Sequence, residues 1–250
     1  MKNYIYLSTC ILILSISCAD ANKTLTDPNE IINRAIDYAG GDSFKNSNIR
    51  FDFRDKHYKA SRNNGTYQLE RHFKDSLGTI KDVLNNTGFN RYQNDSLLNL
   101  DDDWKQRYSN SVNSVHYFSV LPFGLNDDAV IKTYMGKSSI KGTDYYKIKV
   151  HFKQIGGGED FQDVFIYWVS TNNFAVDYLA YSYQDSKVKV GLRFREAYNQ
   201  RFIKGLRFVD YNNYKPASDI TALESLDQLF IQGKLTLLSK IENTNVTVDL

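Results

Sequence analysis

Apolar and polar residues alternate strictly over residues 49–54. Ile49, Phe51 and Phe53 are separated by Arg50, Asp52 and Arg54, a period of two that predicts a half-buried strand. Asn63-Asn64-Gly65 supplies a turn into a strand at 66–73, and further strands are expected at 78–84 and 88–92. The period then changes. Trp104, Tyr108, Val112, Val115 and Phe118 are spaced four, four, three and three, which predicts a helix over 101–121. Asp101, Asp102 and Asp103 suit the positive end of its dipole, and Pro122-Phe123-Gly124 ends it. A shorter helix is expected at 127–134. An earlier helix is marked by Asp27 as N-cap, Pro28 at the first helical position and Glu30 completing a capping box; Gly40-Gly41 stops it.

The second half reads as strand after strand. Tyr146, Ile148, Val150 and Phe152 alternate with Lys147, Lys149, His151 and Lys153, giving one dry and one wet face. Gly156-Gly157-Gly158 leads to a strand at 161–170, and Asn172-Asn173 turns into another at 174–183. Over 164–169 both faces are apolar, with Val164, Ile166 and Trp168 on one side and Phe165, Tyr167 and Val169 on the other. This stretch is therefore covered on both sides or faces a cavity. Strands at 188–198 and 202–212, a helix at 218–232 and closing strands at 234–241 and 245–248 complete the pattern. No composition break divides residues 27–250, so one α+β domain is expected.

The N-terminus adds a location. An apolar run at 4–16 follows Lys2; it is shorter than the roughly 20 residues of a spanning helix but suits a signal peptide. Ser15-Ile16-Ser17-Cys18 resembles a bacterial lipoprotein signal, in which the cysteine is lipidated and becomes the new N-terminus. On that reading residues 1–17 are a leader, Cys18 is the lipid attachment, and 18–26 form a tether. Ser15 stands where such signals usually carry Leu, and cleavage near Ala19 or Ala21 is the alternative. Cleavage before Cys18 removes Cys10 and leaves no free thiol for nucleophilic, disulfide or metal chemistry. The net charge of +2 over 250 residues lacks the basic excess of a nucleic-acid binder.

Gly-Leu-Arg-Phe occurs at 191–194 and again at 205–208. A hairpin turning at Asn199-Gln200-Arg201 would set Leu192 against Phe208 and Arg193 against Arg207, gathering Arg193, Arg195 and Arg207 on one face. A loop near Ser186 would then bring Asp177 beside Arg195 and put Tyr181 and Tyr183 on that face. Facing arginines are unfavourable unless something anionic lies among them. Two readings follow: a subsite for a phosphate or carboxylate headgroup, or a face neutralised by carboxylates and solvent.

Other chemistry is sparse. His57, His72, His116 and His151 have no metal-type spacing. His116 lies on the 101–121 helix, where it lines a cavity or packs as an ordinary helix histidine. No Gly-x-Ser-x-Gly occurs, and Met135-Gly136-Lys137-Ser138 lacks the first glycine of a phosphate loop. No catalytic set and no cofactor is assigned.

Asn113-Ser114-Val115-His116-Tyr117-Phe118, Leu121-Pro122-Phe123, Leu125-Asn126-Asp127, Tyr181-Ser182-Tyr183, Arg193-Phe194-Arg195 and 210–214 together resemble an uncharacterised lipoprotein family of Bacteroidota, over residues 31 to 250. That family is similar in fold to the lipoprotein carriers LolA and LolB. The resemblance implies a single, strongly curved antiparallel sheet, a half-barrel with helices covering its concave side and an apolar cavity within. It also implies a monomeric cell-envelope lipoprotein, on the periplasmic face of the outer membrane, holding a lipid or acyl-chain ligand. Trp168, Tyr181, Phe118 and His116 would line the site, and Arg193, Arg195 and Arg207 would meet the headgroup. A periplasmic enzyme using carboxylates and arginines, or a non-catalytic partner of an outer-membrane complex, are the alternatives.

Overall fold

A computed structural model describes residues 25–155, 161–186, 189–217 and 221–250. The leader with Cys18, most of the tether, the Gly156–Gly158 loop and the expected helix start at Ser218 lie outside the described residues.

Helix α1 (Pro28–Ala39) has the expected Asp27 cap and Pro28 start, the Asp27 carboxylate accepting the Asn29 N–H at 2.9 Å, but Glu30 pairs with Arg34 at 2.5 Å instead of closing a capping box. It ends at Gly40, where φ is 126° and an added Cβ would lie 2.6 Å from Leu206 Cδ2. A meander follows: β1 (Asn48–Phe53), β2 (Lys56–Asn63), β3 (Thr66–Asp75), β4 (Gly78–Asn85), β5 (Gly88–Gln93) and the short β6 (Ser96–Leu97). After α2 (Asp102–Ser119) a second meander runs through β7 (Val130–Ile140), β8 (Thr143–Phe152), β9 (Val164–Ser170), β10 (Val176–Ser186), β11 (Lys189–Ile203) and β12 (Leu206–Pro216). A short helix α3 (Leu226–Ile231) precedes β13 (Leu235–Ile241) and β14 (Asn243–Asp249).

Two antiparallel sheets of seven strands result, ordered β14-β1-β2-β3-β4-β5-β6 and β13-β12-β11-β10-β9-β8-β7. The single half-barrel expected from the sequence is therefore replaced by two open sheets. The break falls at α2, whose 18 residues interrupt the strand pattern between β6 and β7 and pack on the face of the first sheet. The C-terminal strands join the two sheets at the other edge, β13 pairing with β12 and β14 with β1. The short junction between them is held by Asp210, which accepts the Asn243 N–H at 3.0 Å and pairs with Arg201 at 3.2 Å.

Two local expectations also change. Residues 127–134 form no helix; a turn closed by Val130 N–H to Asp127 O at 2.9 Å leads directly into β7. The helix expected at 218–232 shortens to a single 3-10 turn, Leu223–Ser225, followed by α3. That segment covers the outer face of the second sheet, where Ile166, Trp168, Tyr178 and Phe194 pack against Leu223 and Leu226. It also buries part of the lysine face of β8. Lys147 lies 3.1 Å from the Asp227 carboxylate, which also accepts from Ser138 Oγ at 2.8 Å and Trp168 Nε1 at 3.3 Å. The outer face of β9 is thus covered, while its inner face packs in the main core and borders a hollow at Phe165, so its doubly apolar pattern reflects both a cover and a cavity.

On the first sheet, Ile49, Phe51, Tyr58, Ala60 and Leu69 pack against Val112 of α2. Beside them Asp82, with 0% of its surface exposed, accepts from two arginines. Arg71 Nε approaches at 2.9 Å and Arg91 Nε at 2.6 Å. Arg71 also donates to Ser111 on α2 at 2.7 Å, and the Arg91 guanidinium lies 3.3 Å from the ring centre of Tyr108. These contacts clamp the helix to the sheet. One turn on, His116 Nε2 meets the Glu70 carbonyl at 3.1 Å, and its ring stands edge-on to Phe51 and Tyr58.

Removing one partner of a buried charge cluster leaves the others unsatisfied, at about 3–5 kcal/mol. Asp82→Ala is expected to lose stability of that order in urea unfolding. Adding Arg71→Met and Arg91→Leu should recover much of it. His116 offers a second test. Burial lowers its pKa from 6.5 to about 3, so the folded chain stays unprotonated where the unfolded chain takes up a proton. Stability is then lost as pH falls below 6.5, at up to about 1.4 kcal/mol per pH unit. The Glu70 carboxyl, held down to about 2 chiefly by its hydrogen bond with His72, adds a similar loss only below its ordinary 4.5. Unfolding measured between pH 6.5 and 5 should therefore slope in the parent chain and flatten in His116→Phe.

Candidate functional site

The site begins with strand parity. On β9 and β10, Phe165, Tyr167, Leu179 and Tyr181 face inward, towards α1 and α2. Tyr181 pairs across to Arg193 and Leu179 to Arg195, so the arginines share this inner face with the tyrosines, as predicted. The register is displaced from the expected one, and Asp177 does not stand opposite Arg195.

The next hairpin departs further. Lys204 and Gly205, with φ of 47° and 82°, form the tight turn between β11 and β12. The segment expected to turn at 199–201 is a bulge within a longer β11: the register shifts between Tyr198 and Arg201, with Asn199 at φ 50°. Arg195 consequently faces Asn213, and Arg207 faces Phe202. No two arginines oppose one another, so the like-charge argument for an anion among them does not hold.

The three arginines occupy separate surroundings. Arg207, 2% exposed, donates from Nε to Gln200 at 2.6 Å and from Nη2 to Asp177 at 3.3 Å, beneath Tyr38. Burial raises the Asp177 carboxyl pKa, and Arg207 pulls it back. Arg193 donates to the Leu192 carbonyl at 2.8 Å and lies over the Tyr183 ring. Tyr183 in turn needs Gly191 opposite it, since a Cβ there would fall 2.3 Å from the ring.

Arg195 is the unusual one. It is 8% exposed, its Nη2 donates to Tyr181 Oη at 2.9 Å, and its guanidinium lies 3.8 Å from the ring centre of Phe118. Its Nε–H is buried without an acceptor, and no carboxylate pairs with it among the described residues. A buried cation without a counter-charge is costly. Stacking on Phe118 contributes only about 0.5–2 kcal/mol against that cost.

Two hollows lie beside α2, sharing Ser114 and Phe118 in their walls. The larger, about 490 Å³, has an aromatic wall of Tyr117, Phe118, Phe152, Phe165, Tyr181 and Tyr183, and a polar side that includes Asn113, Gln162, Asp163 and Arg193. The smaller, about 220 Å³, lies between α2 and the C-terminal strands, walled by Phe53, Val115, Arg195, Tyr211, Asn213, Ser239, Ile241 and Asn243 among others. Phe118 and Tyr181 thus meet Arg195 as a cluster. Trp168 is on the opposite face of the sheet, fully buried under α3, and Arg207 lines neither hollow. His116 turns the other way, to the first sheet. Asn113, Asn213 and Ser239 were not anticipated. The signal for Asn213 was present, since it follows Val209 and Tyr211 at a spacing of two, a polar residue on the inward parity of β12.

Comparison with solved structures identifies relatives in shape. A DUF1329 family protein from Desulfovibrio piger superposes with a TM-score of 0.55 at 13% identity, covering 90% of this chain and 95% of that one. A LolA superfamily protein from Nitrosomonas europaea gives a TM-score of 0.49 at 13% identity, covering 89% and 93%. No curated protein matches the chain. At these identities the likeness to the Desulfovibrio protein establishes a shared fold of antiparallel sheets with few helices. The profile of one family, described as "Family of unknown function (DUF6503)", matches residues 2–243, and the chain belongs to that family.

Proposed function

We propose that this chain is a cell-envelope lipoprotein that holds an apolar or amphiphilic ligand and carries out no chemistry on it. The supporting observation is the larger hollow, where one wall of Phe118, Phe152, Phe165 and Tyr181 meets a polar side containing Arg193. Its volume of about 490 Å³ falls within the usual range for a small-molecule site. An acyl chain laid along that wall gains about 0.8 kcal/mol for each methylene removed from water, before the costs of association. The signal at 1–17 and Cys18 supply the anchor in this reading, residues 18–26 the tether and 27–250 the binding domain, as a monomer on the periplasmic face of the outer membrane.

Two measurements test it. The full chain should bind an apolar fluorescent probe such as N-phenylnaphthylamine saturably and at one site. Phe165→Asp, which places a carboxylate in the aromatic wall, should weaken that binding at least tenfold. A parent chain that shows no saturable binding overturns the proposal. Separately, radiolabelled palmitate fed to expressing cells should label the chain, and Cys18→Ser should abolish both label and membrane association. Equal labelling of the two would exclude the anchor.

A further inference from the structure

The smaller hollow has a chemical signature of its own. Both charged residues on its walls are arginines: Arg195, and Arg54, which is exposed. Two buried polar atoms among its lining residues are without hydrogen-bond partners, Arg195 Nε and Asn213 Oδ1. Arg195 and Asn213 face each other across β11 and β12 and are 8% and 9% exposed. Asn213 Nδ2 lies 3.3 Å from Ser239 Oγ. A half-turn of that amide exchanges the unpartnered oxygen for its NH₂ and lets the Ser239 hydroxyl donate to the oxygen. Tyr181 accepts from Arg195, so its own O–H proton is available to a further acceptor.

We infer that the smaller hollow is an anion subsite for the head of the ligand, a carboxylate held by Arg195 Nε–H and the turned Asn213 amide, with the tail passing Phe118 into the larger aromatic hollow. This rests on the proposed binding role and adds the ligand's class and direction: a single-chain anionic amphiphile, bound head inward. Three features carry the assignment. The cation is already buried, so an incoming anion relieves an existing cost. The guanidinium plane is fixed by Phe118 and the Tyr181 hydroxyl, so its fork is oriented before the ligand arrives. The two hollows share Ser114 and Phe118, so head and tail sites are adjacent. Arg193, at the larger hollow, and Arg207, already paired with Asp177, take no part.

Short-chain probes test this while remaining soluble. The full chain, reconstituted in phosphatidylcholine nanodiscs and corrected against empty discs, is titrated with octanoate, octanol, acetate and inorganic phosphate. Octanoate is expected to bind at least about tenfold more tightly than octanol, the worth of a charge-assisted hydrogen bond, with acetate and phosphate far weaker than either. Arg195→Met should bring octanoate to within about twofold of octanol and leave octanol unchanged. Asn213→Asp, which puts a like charge beside the head, should weaken octanoate about tenfold or more. Arg195→Lys keeps the charge but loses the fork and should fall between. The Lys and Asp variants decide the question should the Met variant not fold.

Equal binding of octanoate and octanol by the parent chain overturns the inference while leaving the proposed function standing. So does a preference that survives Arg195→Met. Acetate or phosphate binding as tightly as octanoate would show a free-anion site and overturn the linked tail. Failure of octanol and the apolar probe together would overturn the proposed function itself.

Discussion

Helix α2 has two obligations, and the rest of the molecule is arranged around them. Its Val112, His116 and Ser111 side is fixed to the first sheet by apolar contact, a histidine–carbonyl hydrogen bond and the Asp82 charge cluster. Its Ser114, Tyr117 and Phe118 side therefore faces the second sheet as a rigid wall rather than a mobile cover. Tyr117 Oη meets Tyr167 Oη at 3.1 Å and Phe118 packs on Phe165, Tyr181 and Arg195, and the hollows lie to either side of these contacts. A helix with one binding partner would settle into whatever groove it faced. Held from behind, it leaves space in front.

The same division explains why the arginines differ so much in character. Arg71 and Arg91 are spent on Asp82, and Arg207 on Asp177, each neutralised within the sheet that carries it. Arg195 sits where the second sheet meets the helix from the other side, and the groups it finds there are aromatic rings and a phenol. Its isolation follows from packing: the inner-face carboxylate of Asp177 is taken by Arg207, and around Arg195 the sheet and helix present rings.

Local pattern in the sequence foretold most elements. The start of α1, the span of α2 and the strands β1, β3, β4 and β5 follow from residues a few positions apart. Asp127 to Tyr134 misled because a period compatible with one helical turn also fits the entrance to a strand. The β11–β12 hairpin misled because Asn-Gln-Arg and Lys-Gly both offer turn chemistry within six residues of each other. The choice between them depends on which pairing the whole sheet accepts. The split into two sheets was beyond reach for the same reason, since pairing between distant strands leaves no local mark. Of the site, parity placed Tyr181, Arg193 and Arg195 on one face correctly. It could not assign Trp168 to the opposite face, because a strand apolar on both sides does not declare which side is hollow.

Strand β14 follows every other described strand, yet it pairs with β1, the first of them, bringing Val248 beside Ile49. β13 and the start of β14 also supply Ser239, Ile241 and Asn243 to the wall of the smaller hollow. The smaller hollow therefore has no complete wall until β13 and β14 are in place, and closing the first sheet requires contact between strands about 200 residues apart, a topology that folds slowly. A nascent or truncated chain exposes an aromatic trough open along one side. The smaller hollow is thus completed in one step, by the last two described strands, rather than built up as the earlier strands are laid down.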